Sequence, residues 1–424
     1  MEDNNPGQLH DDVFEALDAR LAPYDAAYDR EYPGDSLRRQ PVHTVYVAAD
    51  RFSASTCARW GAEALNLVDQ HLGSAKSRAE LLGEDVPMAE PVWSRVRRKL
   101  ADEPIEDLRI DFEDGYGPRP DLEEEAAAAH AGRELAAAVT AGTAPPFVGL
   151  RFKSLEPSTR RRGVRTVDVF LGSLLQASGS LPAGFVLTLP KVTRFDQVEA
   201  MTEVCAHLES AHGLVAGSLL FEIQIETPQA VIASDGVAAV AKMIQSAAGR
   251  CRGLHYGTYD YSAACGIAAT YQSMEHPAAD FAKAVMQVAA AGTGVHLSDG
   301  STNVVPVGNE QAVLQAWQLH VRLVRRSLER GYYQGWDLHP GHLPTRFAAT
   351  YAFYARSFAV SASRLRAYTA RQAGGIMDEP ATAQALASFL VRGLDCGALV
   401  EAEVHDASGF STRQLRALAS RTVR

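Results

Sequence analysis

What the chain lacks narrows it first. Its five cysteines (Cys57, Cys205, Cys251, Cys265 and Cys396) are odd in number and scattered, with no C-x-x-C pair. That argues against a zinc framework and a disulfide scaffold, and it suits reduced thiols in a cytoplasmic protein. No run of about 18 apolar residues occurs, so no membrane-spanning helix is expected. The opening Met1-Glu2-Asp3-Asn4-Asn5-Pro6 is acidic and polar, unlike a signal peptide. Positive charge is in deficit: the 424 residues carry a net charge of −10. Neither nucleic acid nor an anionic membrane is therefore expected as a partner. A Walker loop, an H-E-x-x-H helix and a Ser-His-Asp arrangement are all missing. So are a fixed-period repeat and any low-complexity tract beyond Ala126 to Ala129.

What remains is a chain with 46% hydrophobic and 22% charged residues, ordinary for a globular protein. Short β-rich runs recur along it, at Val42 to Ala48, Leu108 to Phe112, Phe147 to Phe152, Phe185 to Leu189, Phe221 to Glu226 and Cys251 to Tyr256. Two more fall at Gly294 to Leu297 and Gly335 to Leu338. Helical patterns lie between them, including about Val231 to Ser246 and residues 310–330, where Val313, Leu314, Trp317 and Val321 keep helical spacing. Eight strands alternating with helices predict an α/β fold, a (β/α)₈ TIM barrel. A doubly wound open sheet would want a Gly-rich first turn, which is absent. The expected organisation is an N-terminal arm over 1–40 packed on the outside, and a barrel over 41–344. A helical insertion or surface hairpin covers 72–107, and a helical extension covers 345–424.

Two acids stand at matching places. Glu226 follows the fifth strand, and Asp260 follows the sixth within Gly257-Thr258-Tyr259-Asp260. Such a carboxylate is commonly a helix cap or a solvated loop residue. At one barrel mouth, however, two could share a hard cation through oxygen ligands. Their surroundings, Ile225-Glu226-Thr227-Pro228 and Gly257-Thr258-Tyr259-Asp260-Tyr261 with Gly266, resemble the I-E-T and G-x-x-D signatures of the HpcH/HpaI aldolase and citrate lyase beta-subunit superfamily. The resemblance implies a barrel of the phosphoenolpyruvate/pyruvate type. It also implies Mg²⁺ or Mn²⁺ held by Glu226 and Asp260, with Gly257 and Thr258 against the substrate.

Other elements are similar to the same superfamily. Asp111-Phe112-Glu113-Asp114-Gly115 resembles its D-L-E-D element, and Asp114 stands where the pyruvate aldolase branch has a histidine. That difference leans toward the lyase branch, with Asp114 as a catalytic acid. Arg151, in Gly149-Leu150-Arg151-Phe152-Lys153-Ser154, matches the conserved arginine; a guanidinium suits both binding a carboxylate and offsetting charge on an oxyanion. Leu189-Pro190-Lys191 matches L-P-K, a lysine given no catalytic part. Trp336-Asp337-Leu338-His339-Pro340 matches the eighth-strand element, read as structural, with Gly341-His342 departing from the usual pair. Gly375-Ile376-Met377-Asp378-Glu379-Pro380 resembles a lid in which Asp378 would move protons across a subunit boundary. The Arg160-Arg161-Arg162 run with Arg165 reads as solvated surface, its functional alternative being a site for phosphate or a second carboxylate.

Together these elements imply a Mg²⁺-dependent carbon–carbon lyase or aldolase acting on a pyruvate- or glyoxylate-like 2-oxo or hydroxy acid, assembled as a homo-oligomer, a trimer or hexamer. A coenzyme A thioester lyase or synthase is the alternative within the enzyme class. An inactive barrel serving as a binding or regulatory protein is the alternative outside it.

Overall fold

A computed structural model describes residues 9–35, 38–369 and 380–420. Eight strands run β1 (His43–Ala48), β2 (Asp107–Asp111), β3 (Phe147–Arg151), β4 (Phe185–Leu189), β5 (Leu220–Ile225), β6 (Cys251–Tyr256), β7 (His296–Ser298) and β8 (Gly335–Asp337). All are parallel, and each pairs with its sequence neighbour, β1 also with β8. A single parallel bridge, Ser298 to Gln334, joins β7 to the start of β8 and closes the circle. Two backbone bonds reinforce that seam, Asp299 N–H to Gln334 O at 2.8 Å and Trp336 N–H to Gly300 O at 3.1 Å. The expected TIM barrel is what the chain forms. β7 starts two residues later than its β-rich run because Gly294 sits at φ 75°, a left-handed turn rather than an extended strand.

Helix α1 (Asp11–Glu31) precedes the barrel, and α2 (Thr56–His71) follows β1. Residues after α2 form α3 (Ala75–Leu82) and α4 (Val86–Asp102), capped by the side chains of Ser74 and Asp85 and split at left-handed Gly83. They are no loose surface hairpin, since α4 buries Trp93, Val96 and Leu100 in the core. Next come α5 (Asp121–Thr140), α6 (Arg160–Ser178) and α7 (Phe195–Ala211) after β2, β3 and β4. The helix expected from Val231 to Ser246 is instead two, α8 (Pro228–Val231) and α9 (Ala239–Ser246). Between them the chain turns at Gly236 (φ 81°), and Ile232 bridges back to Ala238. α10 (Thr258–Ala264) and α11 (Pro277–Ala290) follow β6, and α12 (Glu310–Glu329) follows β7. α13 (Leu343–Thr369) follows β8 and packs against α12, α2 and α4, the place of an eighth barrel helix. α14 (Pro380–Asp395), α15 (Glu401–Ser408) and α16 (Thr412–Ala419) complete the described chain, α14 and α15 packing on α13 and α16 on α14.

The barrel interior is charged and paired. Arg109 donates to Glu222 at 2.8 Å and to Asp107, and Glu222 also meets His255 at 2.9 Å. These groups are buried, so each depends on its partner; removing one would strand a charge without water. A second clamp fixes β8, where Asp337 binds Arg346 at 2.9 Å, His43 at 2.9 Å and His320 at 3.2 Å. No helix among the described residues is long and apolar enough to cross a membrane.

Candidate active site at the barrel mouth

The carboxyl ends of β2 to β6 converge on one mouth, and the sequence places chemistry at each. Asp111 ends β2, buried, and its two oxygens accept from Arg151 Nε and Nη2, both at 2.7 Å. This fork uses the planar guanidinium in full, which a lysine could not do. The Arg151 guanidinium also lies 4.6 Å over the Tyr46 ring, so the group is packed as well as paired. Its remaining nitrogen, Nη1, turns to the mouth, 3.3 Å from Glu113 and 3.9 Å from Asp114.

Lys191, just past β4, is the feature that sequence reasoning undervalued. Its backbone sits at φ 53°, uncommon for a residue with a side chain. Its N–H donates to Glu226 Oε1 at 2.7 Å. Its ammonium then reaches Asp260 at 2.7 Å, Asp114 at 3.3 Å, Glu113 at 3.7 Å and Glu226 at 4.0 Å. Four carboxylates from the ends of β2, β5 and β6 thus surround one cation. The L-P-K motif pointed to this residue, but nothing in the sequence showed how far its side chain reaches.

Burial decides how these acids titrate. It pushes Glu226 up to about 7, with Lys191 opposing and Asp260 adding. It pushes Glu113 up to about 8, against Arg151 and with Asp114 adding. Burial works the same way on Asp114, but its bond with Glu113 and the charges of Arg151 and Lys191 outweigh it and hold Asp114 low. Burial would lower Lys191, yet Glu226, Glu113 and Asp260 hold it well above its ordinary value. Burial thus biases Glu113 toward its protonated form, and its charged neighbours bias Asp114 toward the ionised one.

The structure brings Asp114, Arg151, Glu226 and Asp260 together. Glu226 is buried, whereas the Asp260 side chain is 48% exposed and Asp114 58%. Gly257 has a steric reason to be glycine: a Cβ there would come 2.4 Å from Glu226 Cβ and 2.8 Å from its Oε2. Gly257→Ala should displace Glu226 and cost about 1–3 kcal/mol, as overpacking does. A lowered denaturant midpoint is the expected observation, and an unchanged one would show that the acid can move aside freely. Thr258 is buried with its hydroxyl unpartnered, facing Gly300. Asp378 lies outside the described residues.

One other group deserves comparison. Among the described residues, His320, Asp337 and His342 offer donor atoms within 4.8 Å of one another. The rings of His320 and His342 stack at 4.5 Å and 29°, so their in-plane lone pairs do not converge. Arg346 already neutralises Asp337. The cluster serves as a clamp for β8, in keeping with the structural reading of His339, whose Nδ1 accepts from Gly341 N–H at 3.0 Å.

Residues 21–423 match the family described as a domain of unknown function, DUF6986. The chain belongs to that family. No curated protein matches it. Among solved structures, this DUF6986 protein is similar to a citrate lyase from Burkholderia xenovorans LB400, with 17% identity over 91% of this chain and 97% of that one, at a TM-score of 0.56. It is also similar to a malate synthase from Haloferax volcanii in complex with lead(II), with 17% identity over 74% of this chain and 73% of that one, at a TM-score of 0.50. At such identity the likeness is one of fold. That fold is the one the motif resemblance implies.

Proposed function

We propose that this DUF6986 protein is a divalent-cation-dependent carbon–carbon lyase or aldolase acting on a 2-oxo acid unit, pyruvate- or glyoxylate-like. One observation carries the reading. A guanidinium fixed by Asp111 faces a ring of four carboxylates that already gathers around a cation, at the mouth where barrel enzymes work. The residues fit a hard ion: all the donors are carboxylate oxygens, and Lys191 marks the point where they close on positive charge. Glu226 and Asp260 would hold Mg²⁺ or Mn²⁺, which when bound supplies Lewis acidity toward the substrate oxygens. Arg151 Nη1 is placed to offset negative charge growing on the oxygen of the cleaved fragment. Glu113, which burial biases toward the protonated form, is better suited than Asp114 to deliver the proton; Asp114, biased toward the ionised form, suits its removal.

The test is a screen of 2-oxo and 3-hydroxy acids, each with and without coenzyme A, for metal-dependent release of pyruvate or glyoxylate. Release that stops on chelation supports the reading. No turnover on any acid, with or without coenzyme A, would favour a binding protein built on an inactive barrel.

Lys191 makes a separate prediction. Its ammonium stands where a divalent ion would have to enter, so the two compete by charge. Lys191→Met should bind Mg²⁺ at least about tenfold more tightly by calorimetry, and its metal-free form should melt lower. Weaker binding would mean that Lys191 supports the ion rather than competing with it.

A further inference from the structure

The barrel mouth leaves two surface features unexplained, and they complement each other. Helix α1 is tied to the barrel just past its C-terminal end, where Gly34 N–H donates to Gly292 O at 2.8 Å. None of the 21 residues of the helix is buried. Phe14, Leu17, Leu21, Tyr24 and Tyr28 recur at intervals of three and four, forming one exposed apolar stripe. A helix that buries none of its side chains is marginal at this length, and Pro23 inside it makes matters worse. One polar flank is acidic, carrying Glu15, Asp18 and Asp25, while the other carries Arg20.

A groove of 810 Å³ opens between α6 and α7, near the end where both helices begin. Its floor is aliphatic, formed by Leu155, Val164, Val204 and Leu208. On its rim Arg165 and Arg194 pair with Asp168 and Asp196, at 2.9 and 2.8 Å. Arg160 and Arg161 also line it, both exposed, with no ion pair among the described residues. Unpaired arginines over an apolar floor, on a chain of net charge −10, call for a partner that is apolar on one side and acidic along a flank. α1 has that chemistry.

We propose that α1 of one copy lays its apolar stripe into the α6–α7 groove of a second copy, with its acidic flank (Glu15, Asp18 and Asp25) turned to Arg160 and Arg161. In its own chain the stripe stands exposed, so the groove it fills belongs to a neighbour. Such a contact joins unlike surfaces and closes into a ring of copies when the rotation allows. The spacing of the stripe would also permit two α1 helices to pair with each other. That arrangement brings two acidic helices together and leaves the arginines unanswered.

Sedimentation of the 424-residue chain tests this. Wild type should be an oligomer. Leu17→Asp/Leu21→Asp and Arg160→Glu/Arg161→Glu should each raise the dissociation constant at least about tenfold, with circular dichroism losing at most the signal of α1, because every substituted side chain is exposed. Adding Asp18→Arg/Asp25→Arg to Arg160→Glu/Arg161→Glu should restore assembly. A monomeric wild type would overturn the proposal. So would dissociation by the helix variant but not by the groove variant, which would indicate that α1 pairs with itself or binds elsewhere. Failure of the charge swap to restore assembly would likewise remove the α1–groove contact.

Discussion

Arg151→Lys should lower turnover about 100- to 1,000-fold while leaving divalent-cation affinity nearly unchanged. The range is that of removing one oxyanion donor, and the split follows from geometry. Arg151 spends Nε and Nη2 on Asp111 and keeps Nη1 for the mouth. A lysine can satisfy Asp111 or reach the mouth, but as a point charge it cannot do both. Arg151→Ala goes further, because it leaves the buried Asp111 carboxylate without its partner. Breaking a buried pair in this way costs about 3–5 kcal/mol, so that variant should also unfold at lower denaturant. Full turnover in Arg151→Lys, measured with metal saturating, would remove this residue from the chemistry.

Glu226→Gln should weaken Mg²⁺ binding on the order of 100-fold or more, since losing even an outer partner of a metal ligand costs 10- to 100-fold. Its pH signature is more telling than its size. Burial places Glu226 at about 7 in the folded chain, above the ordinary carboxyl value of 4.5. The folded state therefore binds the proton more tightly, and metal-free stability should fall as pH rises from about 4.5 to about 7. A bound cation favours the ionised carboxylate, so its thermal shift should be larger at pH 8 than at pH 5.5. In Glu226→Gln this part of the pH slope and most of the shift should vanish. Glu113, raised to about 8, contributes a similar slope that extends higher in pH and survives in the variant.

Much of this was legible in the chain, and the reasons are local. Strand positions came from β-rich runs and missed by a residue or two where glycines turn, as at Gly294. Arg151, Glu226 and Asp260 were legible as mouth residues because a strand end puts its side chain there, and the motif resemblance singled them out from other strand-end residues. Distance was not legible. Nothing local says that Lys191 reaches four acids, that Arg151 turns two of its nitrogens back to Asp111, or that Glu113 is the acid that burial biases toward its protonated form. The helix from Val231 to Ser246 broke because one Gly-centred turn outweighed its propensity. The N-terminal arm was expected to pack on the barrel. Its end at Gly34 bonds to Gly292, while the α1 stripe is exposed on its own chain; sequence shows an apolar face but not which surface receives it.

For a pyruvate-like substrate, the mouth should stabilise the enolate with the help of a divalent cation. Exchange of the pyruvate methyl protons for solvent deuterium, followed by proton NMR with and without Mg²⁺, tests this without any knowledge of the second substrate. Exchange is expected with wild type and Mg²⁺, should stop on chelation, and should be lost in both Glu226→Gln and Arg151→Lys. Exchange that continues unchanged without metal, or in Glu226→Gln, would contradict the account.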